Sequence, residues 1–144
     1  MSYSFDANIL LYAGNQASVH HKKAKNFVIS CAEDSELIIL TYPTLMAYLR
    51  ISTHPRIFPN PLSPEEALSD LERLVRLPQL RLVSEEEGFL ELYRQVSGEL
   101  PVRGNLVPDA HLATLLLQHG VKRLFTADSD FRKFAFLKVK NPLS

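Results

Sequence analysis

The chain has 144 residues, of which 46% are hydrophobic and 22% are charged. This composition is typical of a folded globular protein and excludes a chain that is disordered throughout. The 16 basic and 16 acidic side chains give a formal net charge of zero, which argues against nucleic-acid binding through bulk positive charge. The total does not exclude a nuclease, because an acidic metal site can cancel a basic binding surface.

Cysteine content and hydropathy restrict the class further. Cys31 is the only cysteine, so an intrachain disulfide and a thiolate zinc cluster are both excluded. No basic stretch precedes an apolar segment with a small-residue cleavage site, so we predict no signal peptide. No apolar run approaches the roughly 20 residues that cross a bilayer. We therefore expect a soluble, cytoplasmic protein without a membrane partner.

The first half of the chain alternates strand-like and helix-like segments. The elements expected in order are a strand at residues 2–5, an apolar helical turn at 9–13, a helix at 20–31 and a buried strand at 37–40. Thr41 is a candidate N-cap for the next helix, and Pro43 lies near its first turn, where the missing N–H costs little. That helix should end by His54.

The second half begins with a proline-rich loop over residues 55–64 and continues the alternation. Two Ser-x-x-Glu patterns, Ser63 with Glu66 and Ser84 with Glu87, predict helices that begin with capping boxes. The other elements expected are strands at residues 80–83, 123–125 and 137–139, and a helix opened by Pro108. The whole chain, residues 1–144, is therefore predicted to be a single α/β domain with a mostly parallel central sheet flanked by helices.

Three carboxylates fall at informative places in this pattern. Asp6 follows the first strand, Asp128 follows the strand at residues 123–125, and Asp109 lies in the first turn of a helix. Sites in open parallel sheets form beyond the carboxyl ends of the strands, so these acids could converge there. Their charges would repel one another unless a hard cation such as Mg²⁺ held them together. No Ser-His-Asp spacing, glycine-rich phosphate loop or nucleophilic cysteine competes, which leaves metal-assisted phosphoryl hydrolysis.

Each acid also has an ordinary structural explanation. Asp6 could cap the helical turn that follows it. Asp109 could complement a helix dipole, and Asp128 and Asp130 could hold a turn before Phe131. The pattern leaves both interpretations open.

Several segments resemble the motifs of a known family, in order and in separation. They are Phe5-Asp6-Ala7-Asn8-Ile9-Leu10-Leu11, residues 49–58, Val107-Pro108-Asp109-Ala110-His111-Leu112-Ala113, Thr126-Ala127-Asp128-Ser129-Asp130-Phe131 and Asn141-Pro142-Leu143. Together they resemble PIN-domain ribonucleases, and most closely the VapC-type toxins of bacterial toxin–antitoxin systems. The resemblance implies a PIN fold and cleavage of RNA that depends on Mg²⁺ or Mn²⁺.

The resemblance also assigns roles by position. The catalytic, metal-binding acids would be Asp6, Asp109 and Asp128. Asp130 would be an auxiliary acid or a structural partner of its loop. Asn8 and Thr126 match positions that orient such acids through hydrogen bonds.

One position departs from the family pattern. Many members carry a glutamate three residues before the position of Arg50, where this chain has Ala47, and no acid occurs at residues 37–64. Three interpretations stay open: the aspartates suffice, another acid such as Glu99 reaches in, or the nuclease is weak or inactive. In the last case the chain would act as an RNA- or protein-binding module.

The expected partners also come from the resemblance. Candidate RNA-binding cations are Arg50, His54, Arg56, Arg103 and Arg132. Structured RNA such as tRNA is the implied substrate, and a VapB-type antitoxin and a second copy in a homodimer are the implied protein partners. The antitoxin would insert an amphipathic segment into a groove. The groove walls suggested are Leu45, Met46 and Leu49 on one helix and Leu68, Leu71 and Leu74 on another.

Overall fold

The computed structural model describes residues 1–144 and has a five-stranded sheet at its centre. The strands are β1 Ser2–Phe5, β2 Leu37–Thr41, β3 Leu80–Val83, β4 Arg123–Phe125 and β5 Lys138–Lys140. The helices are α1 Ala7–Gly14, α2 His21–Glu33, α3 Tyr42–Ser52, α4 Pro64–Val75, α5 Phe89–Ser97 and α6 Leu106–Gln118, with a 3₁₀-helix at Ser129–Lys133. Every strand pair is parallel, which confirms the predicted fold class.

The strand order places the carboxyl ends of β1 and β4 side by side. The order is β3-β2-β1-β4-β5, so the chain builds outward from β1 in one direction and then crosses back to the other side. In the register of β1 and β4, Phe5 is paired with Phe125. The Asp6 N–H donates to the Phe125 carbonyl at 3.3 Å, so the residues after both strands begin at the same level. Such a reversal of strand order opens a crevice beyond the strand ends.

Two hydrophobic clusters account for the core. One contains Phe5, Ile9 and Leu40 and packs the sheet against α1 to α4. The other contains Leu116 and Leu124 and packs it against α6 and the 3₁₀-helix. Helix α6 is the most deeply embedded helix, because five consecutive residues, Leu112 to Leu116, are buried. Its first turn, which carries Asp109, is therefore held rigidly.

The helix starts at Thr41 and Ser63 follow the sequence prediction. The Thr41 hydroxyl accepts from the Thr44 N–H at 3.4 Å and begins α3. At α4 the Ser63 hydroxyl accepts from the Glu66 N–H at 3.1 Å, and the Glu66 carboxylate accepts from the Ser63 N–H at 3.0 Å. This reciprocal pair confirms the first capping box.

The second predicted capping box, at Ser84 and Glu87, is wrong. Helix α5 begins only at Phe89, after Gly88, whose φ of 82° stops any earlier helical turn. Side chains of α6 and its C-cap hold the preceding segment instead. Gln118 Oε1 accepts from the Glu86 N–H at 2.9 Å, and the Ser84 carbonyl lies 2.7 Å from His119 Nε2.

Smaller differences concern other element limits. Helix α6 begins at Leu106, two residues before Pro108, and the last strand lies one residue later than predicted. Cys31 is buried, as expected for a small apolar side chain. None of the six α-helices combines the length and the apolar character that a membrane span requires.

Candidate functional site

An open cleft of about 250 Å³ lies beyond the carboxyl ends of β1 and β4, between the first turns of α1 and α6 and one face of α3. Its charged and polar lining residues are Asp6, Asn8, Thr44, Arg50, Asp109 and Asp128. The structure therefore brings the three sequence-predicted acids into one cleft, although more than 100 residues separate the first of them from the other two. We call this the acidic cleft.

Three carboxylates lie close together, two on the wall of the acidic cleft and that of Asp130 beside it. Oxygen atoms of Asp109, Asp128 and Asp130 all lie within 4.8 Å of one another. Asp128 caps the 3₁₀-helix by accepting from the Asp130 N–H at 2.9 Å, so the local turn predicted for these residues exists and also aims them at Asp109. Partial burial, and then the charges of Asp128, Asp130 and Asp6, raise the pKa of Asp109 to about 6.

Asp6 forms the floor of the acidic cleft. Only 7% of it is exposed, and burial raises its pKa to about 6, against the opposing effect of a hydrogen bond from Thr126. The Thr126 hydroxyl donates to Oδ2 of Asp6 and accepts from the Asp128 N–H at 3.0 Å. Oδ1 of Asp6 is buried and accepts no well-formed hydrogen bond, although the backbone N–H groups of Ile9 and Asn8 lie near enough to the carboxylate to lower its pKa. A buried carboxylate oxygen without a partner is costly unless a ligand satisfies it.

This donor set fits a hard divalent cation. All four side chains offer carboxylate oxygens, the ligands that Mg²⁺ and Mn²⁺ prefer, and the orphaned Oδ1 of Asp6 is an unused donor. The only basic side chain paired with them is Lys133, whose Nζ lies 3.4 Å from Asp130 on the exposed side. The residues that could hold the ion are Asp6, Asp109, Asp128 and Asp130.

The two predicted orienting residues differ in their contacts. Thr126 makes the hydrogen bonds that such a role requires, because it links Asp6 to the Asp128 loop. Asn8 lines the cleft, but its side chain makes no hydrogen bond to the acids. Sequence reasoning missed Thr44, a buried hydroxyl on the cleft wall that lies one turn before Ala47 on α3. The signal available in the sequence was the position of Thr44, a polar residue in the first turn after a buried strand, where a side chain can face the strand ends.

Ala47 lines the acidic cleft, so α3 presents no carboxylate at the position where the sequence resemblance led us to expect a glutamate. Glu99, the acid that the sequence suggested as a replacement, does not fill this gap, which excludes that interpretation. Glu99 is exposed and lines a separate cavity with Leu100 and Phe136. His111 also stays outside the cleft lining, because its Nε2 pairs with Glu85 at 2.6 Å.

The candidate RNA-binding cations do not form one group. Arg50 lines the acidic cleft. His54 and Arg56 lie in the loop after α3, where the Arg56 N–H donates to His54 Nδ1 at 3.1 Å. Arg103 is exposed in the loop before α6, and Arg132 lines a different cleft, beside β4 and β5.

Comparison with known proteins gives the family by sequence and a matching fold by structure. The family model described as PIN domain matches residues 3–137. Ribonuclease VapC48 of Mycobacterium tuberculosis is 40% identical over 144 residues, which cover 100% of this chain and 99% of that protein. Ribonuclease VapC37 of the same organism is 30% identical over 137 residues, covering 95% and 94%.

Two solved structures illustrate the likeness of fold. VapBC2 of Rickettsia felis, bound to a promoter DNA fragment, has a TM-score of 0.69 at 19% identity and covers 98% of each chain. VapC20 of Mycobacterium tuberculosis, described as a toxin that cleaves the sarcin–ricin loop, has a TM-score of 0.68 at 16% identity and covers 96% of this chain and 98% of that one. At such identities the likeness establishes the fold alone.

Proposed function

The chain belongs to the PIN-domain family, among its VapC-type members, and from this premise we propose that it is a metal-dependent endoribonuclease toxin of a type II toxin–antitoxin system. One observation carries the proposal: Asp6, Asp109 and Asp128 line one cleft, a carboxylate oxygen of Asp130 lies within 4.8 Å of those of Asp109 and Asp128, and Asp6 presents a buried oxygen without a hydrogen-bond partner. The names of the relatives as ribonucleases support RNA as the substrate. The expected site of action is the cytoplasm.

The proposed mechanism gives each residue a distinct task. Asp6, Asp109 and Asp128, with Asp130 beside them, would hold Mg²⁺ or Mn²⁺. Such an ion, when bound, would supply Lewis acidity and lower the pKa of water. Thr126 fixes Oδ2 of Asp6 by a hydrogen bond, which leaves Oδ1 free to act as a ligand.

Arg50 has the task of holding the substrate. It is exposed on the wall of the acidic cleft and takes part in no ion pair, so its guanidinium is free to bind a phosphate oxygen.

Cleavage of a labelled RNA pool tests this proposal. Asp109→Asn keeps the shape of the side chain and removes one charged ligand. We expect it to lose at least about 100-fold in rate, more than the loss for a group that only supports a ligand. Glu91→Gln on α5 is the matched control, because Glu91 is exposed and forms no ion pair. Cleavage by the parent that survives Asp109→Asn or EDTA would exclude the metal mechanism.

The gap at Ala47 supports one alternative, a weak or inactive PIN domain that binds RNA or protein. With alanine on the cleft wall, α3 contributes no carboxylate to the ion. A parent chain that binds RNA but does not cleave it with either metal would establish this alternative.

We also propose that a VapB-type antitoxin is the partner. The VapB–VapC assemblies among the structural relatives support it. A mostly apolar groove of about 320 Å³ between α1, α2 and α4 is lined by Leu10, Val28, Leu71, Leu74 and Leu77, with Tyr48, Asp70 and Arg73 also in its lining. It matches the groove walls suggested by the sequence only at Leu71 and Leu74. Met46 and Leu68 are about half exposed, and Leu45 is buried in the core.

The groove and the remaining partners can be tested together. Leu74→Glu would place a charge inside the apolar groove, and we expect it to weaken antitoxin binding in calorimetry while RNA cleavage persists.

A homodimer and a structured RNA such as tRNA remain expectations of this proposal. Sedimentation and the mapping of cleavage sites would test them.

A further inference from the structure

A second cleft, of about 500 Å³, lies at the outer edge of the sheet, where β5 has no neighbouring strand. Its lining includes the four basic residues Arg123, Arg132, Lys138 and Lys140, the aromatic residue Phe125 and the aliphatic residue Val139. No acidic side chain lines it. We call it the basic edge cleft.

Three of its cations are available to a ligand. Arg132, Lys138 and Lys140 are exposed and take part in no ion pair, whereas Arg123 is bound to Glu36. The chain as a whole has equal numbers of acidic and basic side chains. A cleft with four basic residues and no acid is therefore a local segregation of charge, which attracts an extended anion.

Phe125 favours a nucleic acid over an acidic peptide as that anion. It is partly exposed in the cleft, and the rest of its side chain packs on the core against Tyr3 and Phe27, at ring-centroid distances of 5.4 and 5.0 Å, so only the exposed part of the ring is available to a base. Cations that follow a phosphate backbone, combined with an aromatic ring on which a base can stack, are typical of single-strand binding. An acidic peptide would need the cations alone.

The carboxyl end of β5 lies close to the acidic cleft, as the contacts of the buried Thr126 show. The Thr126 N–H donates to the Lys140 carbonyl at 2.9 Å, and its hydroxyl donates to Asp6. On the other side, Arg132 lies in the 3₁₀-helix that Asp128 caps. An RNA segment bound along β5 would therefore end only a few protein residues away from the acidic cleft.

We propose that the basic edge cleft binds the phosphate backbone of a single-stranded segment of the RNA substrate, beside the segment that is cleaved. The proposal rests on the proposed ribonuclease function and adds a binding site outside the acidic cleft. It accounts for the position of Arg132, which lines this cleft rather than the acidic one. It also assigns a ligand to Lys138 and Lys140.

Binding of a labelled single-stranded RNA tests the site directly. Every protein carries Asp109→Asn, so that no RNA is cut during the measurement. Lys138→Gln/Lys140→Gln removes two cations of the cleft, and Lys22→Gln/Lys23→Gln is the matched control on exposed lysines of α2 that form no ion pair. We expect the first pair to raise Kd about tenfold at low salt. We expect the slope of log K against log salt to fall by about 1.4, since each single-strand phosphate contact contributes about 0.7.

The outcomes separate this proposal from the function on which it rests. Equal Kd values and salt slopes for the two lysine pairs would overturn the basic edge cleft, and cleavage by the parent chain would still support the nuclease. RNA neither bound nor cleaved would overturn both. Equally tight binding of duplex DNA through Lys138 and Lys140 would overturn the assignment to single-stranded RNA. Arg132→Gln provides a second variant if the lysine pair fails to fold; because it removes one cation instead of two, we expect Kd to rise about threefold and the slope to fall by about 0.7.

Discussion

The two ends of the parallel sheet differ in how their charged side chains are paired. At the amino end, Glu36 is paired with Arg123, whose guanidinium also lies 5.5 Å from the centre of the Tyr3 ring. Gln79 Nε2 donates there to three carbonyls at the end of α2, those of Cys31, Ala32 and Asp34. At the carboxyl end, Asp6, Asp109 and Asp128 line a cleft with Asp130 beside them, and the only ion pair to these acids is that of Lys133 with Asp130. The amino end therefore pairs its carboxylate with a cation, whereas the carboxyl end leaves most of its carboxylates without one.

This difference separates what stabilises the fold from what the fold is able to do. Unpaired carboxylates in a partly buried cleft lower the stability of the metal-free protein. They persist because the elements that carry them are held elsewhere: Asp109 by the buried face of α6, and Asp6 by β1, which is central in the sheet. Substitutions at the two ends should therefore have opposite effects on stability and activity.

Asp6→Asn should produce the largest change in stability. The pKa of Asp6 is about 6 in the folded chain against an ordinary value of 3.8. Between about pH 4 and pH 6 the folded state therefore holds a proton that the unfolded state releases, so the metal-free protein loses stability as pH rises through that window. The asparagine side chain cannot ionise, and at pH 7 the variant should be more stable than the parent by up to about 3 kcal/mol.

Urea unfolding in EDTA at pH 4 and pH 7 measures this effect. The parent should lose stability between the two values, with a remaining contribution from Asp109, and the variant should lose less. Mg²⁺ should restore the parent at pH 7 more than the variant, because bound ligand stabilises the folded state. If the free energy of unfolding depended on pH identically in the two proteins, burial would not raise the pKa of Asp6.

Thr126→Val should have a smaller effect than Asp6→Asn and should lower the metal affinity or the cleavage rate about 10- to 100-fold. The substitution keeps the shape of the side chain but removes the hydroxyl that donates to Asp6 and accepts from the Asp128 N–H. Thr126→Ser retains the hydroxyl and is the control, expected to stay close to the parent. Calorimetric titration with Mn²⁺ and a cleavage assay check the result. If valine and serine behaved alike, the hydrogen bonds would have no role in orienting the acids.

The sequence predicted most of the fold, and the two Ser-x-x-Glu patterns show why it did not predict all of it. The pattern at Ser63 forms a capping box, whereas at Ser84 the same spacing fails. The difference is tertiary: Gln118 and His119 bind the backbone after β3, although they lie more than 30 residues away. Gly88 was the only local signal, since a glycine at positive φ suits a chain that turns before its helix.

The residues considered for the acidic cleft also fall into two groups, those that the sequence could place and those that it could not. The placement of Asp6 and Asp128 followed from strand ends in a parallel sheet, which a sequence pattern can locate. The positions of Glu99 and Arg132 depended on how the loop before α6 and the 3₁₀-helix fold back, which no periodicity encodes. The unpartnered oxygen of Asp6 is likewise visible only once Thr126 is placed beside it.

Ala47→Glu should give a gain of about tenfold in Mn²⁺ affinity, since it adds an acid to the cleft wall, although it also adds repulsion among the carboxylates. Ala47→Gln is the control of equal size without charge and should show no gain. The same titration and RNA cleavage assay apply to both. A gain in metal affinity with no gain in cleavage would mean that the aspartates already suffice for the reaction. Equal effects of Glu and Gln would show that filling the gap, rather than adding charge, is what matters.

Glu36→Gln, at the opposite end of the sheet, should have the smallest effect. The ion pair with Arg123 is about one-third exposed, so solvent screens it, and its loss should lower the free energy of unfolding by about 1 kcal/mol or less. Cleavage should stay within a factor of about two of the parent, because the substitution leaves the four cleft acids and their hydrogen bonds in place. Urea unfolding and the cleavage assay measure the two quantities on the same sample. A tenfold loss of cleavage would contradict the view that the two ends of the sheet act independently. It would mean that the loss of the Glu36 ion pair displaces β4 from Arg123 as far as Thr126 and the acids beside it.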